Sequence, residues 1–198
     1  MKKTKKQLSI GGILVILFFA LDQITKQLAV SFLKNKPNIP IIKDVFELQY
    51  LENTSAAFGM DPISFLHNIF HFEIFENNPV LYLNVRMLFF YILTIVIIIL
   101  LCYIYAKIPN EKRFIYMDYI LIFFVAGALG NLFDRITLQY VVDFLYFKLI
   151  NFPIFNVADI YVTCAAFAML GFGLFYYKDE DIDKIFPSQK RNNKRLNL

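Results

Sequence analysis

Residues 87–106 (MLFFYILTIVIIILLCYIYA) contain no charged side chain, and this run constrains the fold more than any other feature of the sequence. A helix needs about 20 mainly apolar residues to cross the hydrocarbon core of a bilayer. Three further apolar runs occur, at about residues 8–32, 114–133 and 154–177. Because 58% of the residues are hydrophobic and only 18% are charged, the chain is predicted to be an α-helical integral membrane protein with four transmembrane helices.

Basic residues predict the orientation of the four spans, because short loops rich in lysine and arginine stay on the cytoplasmic side. Residues 1–8 contain four lysines, the 107–113 connection contains three basic residues, and the chain from Lys178 onward contains six. Residues 34–84 contain three lysines against six acidic residues. Both termini are therefore expected in the cytoplasm, with residues 34–84 and 134–153 outside.

Residues 1–178 are expected to form a single membrane-embedded domain, followed by a cytoplasmic basic tail at residues 179–198. In the extracytoplasmic segment 34–84, the β-forming residues at 41–51 predict one or two short strands. Residues 62–75 are rich in phenylalanine and isoleucine, and predict an amphipathic element on the outer membrane surface. The expected fold is four transmembrane helices with a small extracytoplasmic β-containing segment.

Polar side chains cluster where the predicted spans meet the outer interface, although ionisable groups are costly in a bilayer unless they are shielded. They are Asp22 and Lys26 in the first span, Asn131, Asp134 and Arg135 at the end of the third, Asp143 in the next connection, and Asn156 and Asp159 at the start of the fourth. Asn131 and Arg135 are four residues apart and share a helix face. A hairpin-like connection would return Asp143 to the start of the fourth span, beside Asp159.

Two neighbouring carboxylates in a place of low dielectric constant share a proton and titrate as a coupled pair. One of them can take a proton from water while the other donates to a carbonyl oxygen, which is the chemistry of aspartic proteases. The alternative is that Asp134 and Arg135 form an ion pair at a helix end and that Asp143 caps a loop. The spacing alone leaves both interpretations open.

Five short blocks occur in order along the chain and together resemble the bacterial lipoprotein signal peptidase (signal peptidase II) family. The blocks are residues 22–26 (DQITK), 53–59 (NTSAAFG), 127–135 (GALGNLFDR), 141–144 (VVDF) and 155–159 (FNVAD). The resemblance extends from the first predicted span to the fourth. Two departures stand out: Ser55 replaces the family's usual glycine, and the 60–84 stretch is longer than the family leads us to expect.

The resemblance implies that Asp143 and Asp159 are the catalytic pair. The positions that match residues lining or ordering the family's site are Asn53, Asn131, Arg135, Asn156 and, in the first span, Asp22. It implies a membrane aspartic endopeptidase that removes the signal peptides of prolipoproteins by cleaving just before the lipidated cysteine. No cofactor or metal is expected.

The resemblance also implies the partners and the location of the protein. Diacylglyceryl-modified prolipoproteins and membrane lipids are the expected partners, with no nucleic acid, and the chain is expected to act as a monomer. The expected location is the bacterial cytoplasmic (inner) membrane, with the active site at its outer face.

Other functions are open from the residues alone. A small transporter or proton-conducting protein would use intramembrane aspartates such as Asp22 and Asp118 as relays. A non-enzymatic subunit of a membrane assembly is a further alternative. His67 and His71 have the i, i+4 spacing of zinc-binding histidines, but the glutamate usual between them is absent.

Overall fold

Four long helices and a small antiparallel sheet make up the fold in the computed structural model, which describes residues 3–54 and 62–186. The helices are α1 (Lys5–Leu33), α2 (Pro62–Phe70), α3 (Glu73–Glu76), α4 (Pro79–Lys107), α5 (Ile115–Leu138), α6 (Val157–Phe175) and α7 (Asp179–Ile185). The strands are β1 (Ile39–Ile42), β2 (Phe46–Asn53) and β3 (Val141–Tyr146).

The helices α1, α4, α5 and α6 are long and apolar enough to cross a membrane, which confirms the predicted four-span fold. Their bounds differ from the predicted spans. Helix α4 begins within the predicted outer segment, because Asn78 accepts a hydrogen bond from the Leu81 N–H at 3.0 Å and Pro79 suits the first helical turn. Helix α5 likewise continues past residue 133 to Leu138, into the predicted 134–153 connection.

Helix α5 is the centre of the bundle, because it packs against α1, α4 and α6. A glycine permits the close approach to α6. A Cβ atom at Gly127 would lie 2.6 Å from the carbonyl oxygen of Ala158 and 2.7 Å from a methyl group of Val162. Gly127 therefore brings the middle of α5 into near backbone contact with the start of α6. Asn131, one turn further along α5, then lies beside Asn156 and Asp159.

The three strands form one sheet in the order β1-β2-β3, with both pairs antiparallel. Strands β1 and β2 confirm the strands predicted near residues 41–51, but β3 was not predicted. It forms because Gln139 adopts a left-handed conformation (φ 68°) that ends α5 and turns the chain back onto β2. Its buried residues Val142 and Phe144 pack against the end of α1 at Ala29 and Leu33.

The end of the bundle away from the sheet is closed by α7. Its residue Ile185 packs with Ile108 and Phe114, and the Arg113 guanidinium donates to the Asp181 carboxylate at 2.7 Å. The predicted tail at residues 179–198 therefore begins with a packed helix rather than a solvated segment. The sequence analysis did not predict this helix, because most of its residues are charged and few are apolar.

Candidate active site

Asp143 and Asp159 both lie at the sheet end of the bundle, although they belong to different elements. Asp143 is in β3, and Asp159 is in the first turn of α6. Asn156 contacts both, because its Nδ2 donates to Asp143 Oδ1 at 2.6 Å and its backbone N–H donates to Asp159 Oδ2 at 3.1 Å. The two carboxylates thus share one asparagine as a neighbour, in a place where Asp143 is 1% exposed.

The start of α6 explains how these groups come together. Asn156 Oδ1 accepts from the Asp159 N–H at 2.9 Å while the Asp159 carboxylate accepts from the Asn156 N–H, which is a reciprocal capping box. Just before this cap, the Phe155 N–H donates to the Leu145 carbonyl oxygen at 3.0 Å. The beginning of α6 is therefore fixed against β3. The first part of the predicted fourth span, at 154–156, is not helical for the same reason.

Two further asparagines complete the hydrogen bonding of the carboxylates. Asn53 Nδ2 donates to Asp143 Oδ2 at 2.8 Å, and Asn131 Nδ2 donates to Asp159 Oδ1 at 2.8 Å. Together with Asn156, they supply a donor to each of the four carboxylate oxygens. The structure thus brings together the three asparagines that the sequence predicts to order the site, while their roles in catalysis stay predictions.

The environment of Asp143 favours its protonated form. Burial and, next, the neighbouring charge of Asp159 raise the pKa of Asp143 from 3.8 to about 7, although the hydrogen bonds from Asn53 and Asn156 act to lower it. A proton is therefore held on the pair near neutral pH. This is the condition that shared-proton acid–base chemistry requires.

Because the pKa of Asp143 is higher in the folded protein than in the unfolded chain, its contribution to stability is fully present below pH 3.8 and is lost as the pH rises through about 7. The Asp143→Asn variant has no such group. We expect the melting temperature of Asp143→Asn minus that of the wild type to increase as the pH rises from about 4 to about 7. Thermal unfolding in detergent measures this difference. Asp44→Asn, at a carboxylate whose side chain is 72% exposed, should show no such gain. A constant difference across the window would contradict the assignment.

A buried lysine lies behind the asparagines. Lys26 is 1% exposed, and its Nζ is 3.0 Å from both Asp22 Oδ2 and Asp134 Oδ2. The same Nζ donates to Asn131 Oδ1 at 3.0 Å. The sequence analysis noted Lys26 but gave it no role. Its i, i+4 spacing from Asp22 within an apolar span was the signal that predicts such a pair.

Asp22 does not contact the carboxylate pair directly. Its Oδ1 accepts from the Ala158 N–H at 2.8 Å, so that a carboxylate of α1 satisfies a free N–H group at the start of α6. A Cβ atom at position 130 would collide with the Asp22 carboxylate, which only a glycine avoids. Asp22 therefore orders the site by holding α1, α5 and α6 together.

The alternative of an Asp134–Arg135 ion pair at a wet helix end is wrong about the environment of Asp134. Asp134 is 2% exposed, and its Oδ2 accepts from the Val142 N–H at 3.0 Å as well as facing Lys26. It thus joins α5 to β3. The alternative in which Asp143 is only a loop cap does not fit either, because Asp143 lies within a paired strand.

Arg135 lies between α4 and the carboxylate pair. Its guanidinium is 5.4 Å from the ring centroid of Phe90, and its backbone carbonyl accepts from the Tyr91 hydroxyl at 2.8 Å. The negative charges of Asp159 and Asp143 attract the Arg135 guanidinium. The position is suited to attracting a polar group of a substrate that reaches the pair.

The sequence analysis missed Arg86, a buried arginine of α4. Its Nη2 donates to the Thr54 carbonyl oxygen at 2.6 Å, next to Asn53. It therefore holds the end of β2 from which Asn53 reaches Asp143. A charged residue just before the most apolar run of the chain was the available signal. Ser55 lies outside the described residues.

The alternative functions find less support in the structure. Asp22 and Asp118 are each paired with a lysine, at 3.0 Å and 2.6 Å, and lie near opposite ends of α5 rather than along a relay. His71 has a φ of 47° and follows the end of α2, so it does not share a helical face with His67. Among the residues that the structure describes, no three histidine, cysteine, aspartate or glutamate side chains are grouped to hold a metal ion.

The sequence of this chain is similar to a known protein family and to several of its members. The profile of the family described as Signal peptidase (SPase) II matches residues 14–175. A lipoprotein signal peptidase of Caldanaerobacter subterraneus is 36% identical over 167 residues, which cover 83% of this chain and 96% of the relative. That of Clostridium tetani is 31% identical over 179 residues, which cover 88% and 97%.

A solved structure of a bacterial membrane enzyme, obtained by the in meso method, has the same fold. It superposes with a TM-score of 0.65 at 24% identity, covering 89% of this chain and 98% of that one. A second structure of this kind gives a TM-score of 0.64 over 90% of this chain and 96% of the other.

Proposed function

The chain belongs to the signal peptidase II family, and from that premise we propose that Asp143 and Asp159 are the pair with which it cleaves prolipoproteins just before the lipidated cysteine. As a member of this family, the protein is a bacterial membrane protease that removes signal peptides from prolipoproteins. The observation that carries the assignment of the pair is Asn156, which donates a hydrogen bond to each carboxylate.

In the proposed reaction Asp159 is the base and Asp143 the acid. The Asp159 carboxylate lies in the first turn of α6, where the helix dipole favours a negative charge. It takes a proton from water, whose oxygen attacks the scissile carbonyl carbon, while Asp143 gives its proton to the carbonyl oxygen. When the carbon–nitrogen bond breaks, Asp159 returns its proton to the leaving amine. One hydroxyl proton then passes back to Asp143 and restores the pair.

The substrate is a diacylglyceryl-modified prolipoprotein, whose acyl chains stay in the bilayer while its peptide bond reaches the pair. The position of the pair supports this arrangement, because it lies where the membrane-spanning helices meet the sheet. One chain supplies both carboxylates, so we expect a monomer to be active.

The test of this function is cleavage of a purified diacylglyceryl-modified precursor by the purified protein in detergent. Mass spectrometry of the products should place the cut directly before the modified cysteine. The same precursor without the lipid modification is the control and should stay intact. Equal cleavage of both precursors, or a cut elsewhere, would contradict the proposed substrate.

We propose that both termini are cytoplasmic and that the sheet and the carboxylate pair lie at the outer face. The distribution of basic residues supports this orientation. Single cysteines at Lys43 and Asn110 should react with a membrane-impermeant reagent from opposite sides of intact cells or inverted vesicles. The native Cys102 and Cys164 are exposed on membrane helices, so both are first replaced by alanine. Labelling of the two positions from the same side would refute the orientation.

Arg135 is proposed to hold polar groups of the substrate beside the pair. Arg135→Lys keeps the charge but loses the planar fork, and should lower kcat/KM about tenfold, as expected for one lost charge-assisted hydrogen bond. Arg135→Ala should lower it about 10²-fold through misplacement of the substrate. Arg113→Ala, which removes the partner of Asp181 at the other end of the bundle, is the matched control and should lower stability but keep the cleavage rate. Wild-type kinetics in Arg135→Ala would end this assignment.

A further inference from the structure

We propose that Lys26 is a positioning residue that sets the orientation of the asparagine amides facing the carboxylate pair. This inference rests on the proposed function. Lys26 contacts neither Asp143 nor Asp159 by a described hydrogen bond. It acts through Asn131, whose Oδ1 accepts from Lys26 Nζ at 3.0 Å and whose Nδ2 donates to Asp159 Oδ1 at 2.8 Å.

An amide has one donor end and one acceptor end, so its orientation decides what it offers to a carboxylate. Lys26 has only donors, and it therefore requires the oxygen of Asn131 to point toward it. This leaves the NH₂ group of Asn131 directed at Asp159. A reversed amide would present its oxygen to the Asp159 carboxylate, and two acceptors would then face each other.

The same oxygen of Asn131 connects Lys26 to the other carboxylate. Asn131 Oδ1 also accepts from Asn156 Nδ2 at 3.1 Å, and this Nδ2 donates to Asp143 Oδ1 at 2.6 Å. The cap of α6 holds the Asn156 amide in the same orientation, because Asn156 Oδ1 accepts from the Asp159 N–H at 2.9 Å. Lys26 thus fixes the donor end of Asn131 toward Asp159 and, through Asn131, supports that of Asn156 toward Asp143. It does so from a position that the substrate does not reach, since Lys26 is 1% exposed.

The competing role for Lys26 is structural, because it also joins Asp22 of α1 to Asp134 of α5 at 3.0 Å each. The chain offers a matched control for that role. Lys3 is 2% exposed at its side chain and is paired with Asp118 at 2.6 Å, far from the carboxylate pair. Lys3→Met removes a buried lysine from an ion pair just as Lys26→Met does, but it touches no amide of the site.

A double-mutant cycle between Lys26→Met and Asn131→Ala tests the proposal on the lipidated precursor. We expect each single variant to lower kcat about 10²-fold, with KM nearly unchanged, because the carboxylates lose their fixed donors. Since both changes act through the same amide, the double variant should be within about twofold of Asn131→Ala. Lys26→Arg should recover part of the rate, whereas Lys3→Met should lower the melting temperature and leave kcat unchanged.

The proposal would be overturned if the loss of kcat in the double variant equals the product of the two single losses. It would also be overturned if the kcat of Lys26→Met equals that of the wild type. Should Lys26→Met fail to fold, the cycle is run in the Asp22→Asn background, where the lost cation is matched by a lost anion. The same two outcomes decide it there. Failure of the wild type to cut the lipidated precursor would refute the proposed function itself, and is thus distinct from multiplied losses in an active enzyme.

Discussion

Asp143→Asn and Asp159→Asn should each lower the rate of prolipoprotein cleavage by about 10⁴-fold, the upper range for the loss of general acid–base catalysis. The shared proton needs both carboxylates, because an amide neither takes a proton from water nor gives one to a carbonyl oxygen at neutral pH. At position 159, asparagine still offers an oxygen to the Asn156 N–H, which keeps the cap of α6. Both variants should therefore insert and fold.

The measurement is single-turnover cleavage of the lipidated precursor, with size-exclusion and thermal unfolding as tests of folding. Asp44→Asn is the matched control, because its exposed carboxylate lies on the same side of the bundle and takes no part in the site. Its rate should equal that of the wild type. A folded Asp143→Asn or Asp159→Asn protein with turnover near the wild-type value would refute the assignment of the pair.

Asp22→Ala should lower the free energy of unfolding by about 3–5 kcal/mol, as is usual when one partner of a buried ion pair is removed. Lys26 would keep only Asp134 as an anionic partner, and the Ala158 N–H would lose its acceptor at the start of α6. Asp22→Asn should cost less, because its side-chain oxygen still accepts from that N–H. Denaturant unfolding in mixed micelles gives the comparison.

The control for this prediction is Lys34→Ala, which breaks the ion pair with Glu52 at 2.8 Å. Both side chains of that pair are 40% exposed, so water and salt screen their attraction. The variant should unfold at nearly the same denaturant concentration as the wild type. An Asp22→Ala protein as stable as Lys34→Ala would show that the buried network does not hold α1 against α5 and α6.

The four spans could be predicted from the sequence because a chain that crosses a bilayer must satisfy its own backbone hydrogen bonds. A run such as 87–106, without a charge, has to cross it as a helix. The site was predictable in part for the same reason, because polar side chains such as Asn131 and Asp159 at the ends of apolar runs need shielding. Their convergence on one another was inferred from spacing and from the family resemblance.

The remainder depends on pairings that leave no local pattern. Strand β3 is defined by its hydrogen bonds to β2, and its sequence VVDFLY resembles the apolar runs around it. The sequence analysis gave Lys26 no role, because its second carboxylate partner, Asp134, is distant in sequence. Helix α7 was missed because its packing rests mainly on Ile185 among charged neighbours.

The reciprocal cap at the start of α6 gives the two carboxylate positions different evolutionary freedom. At position 159 a replacement must still accept the N–H of Asn156, or the first turn of a membrane helix loosens. At position 143 the strand stays paired through its backbone whichever small residue is present, and the cost of burying an ionisable carboxyl group disappears. A duplicated copy that loses its activity should therefore first change at the strand position, and it would persist as a folded protein that still binds what it no longer cuts.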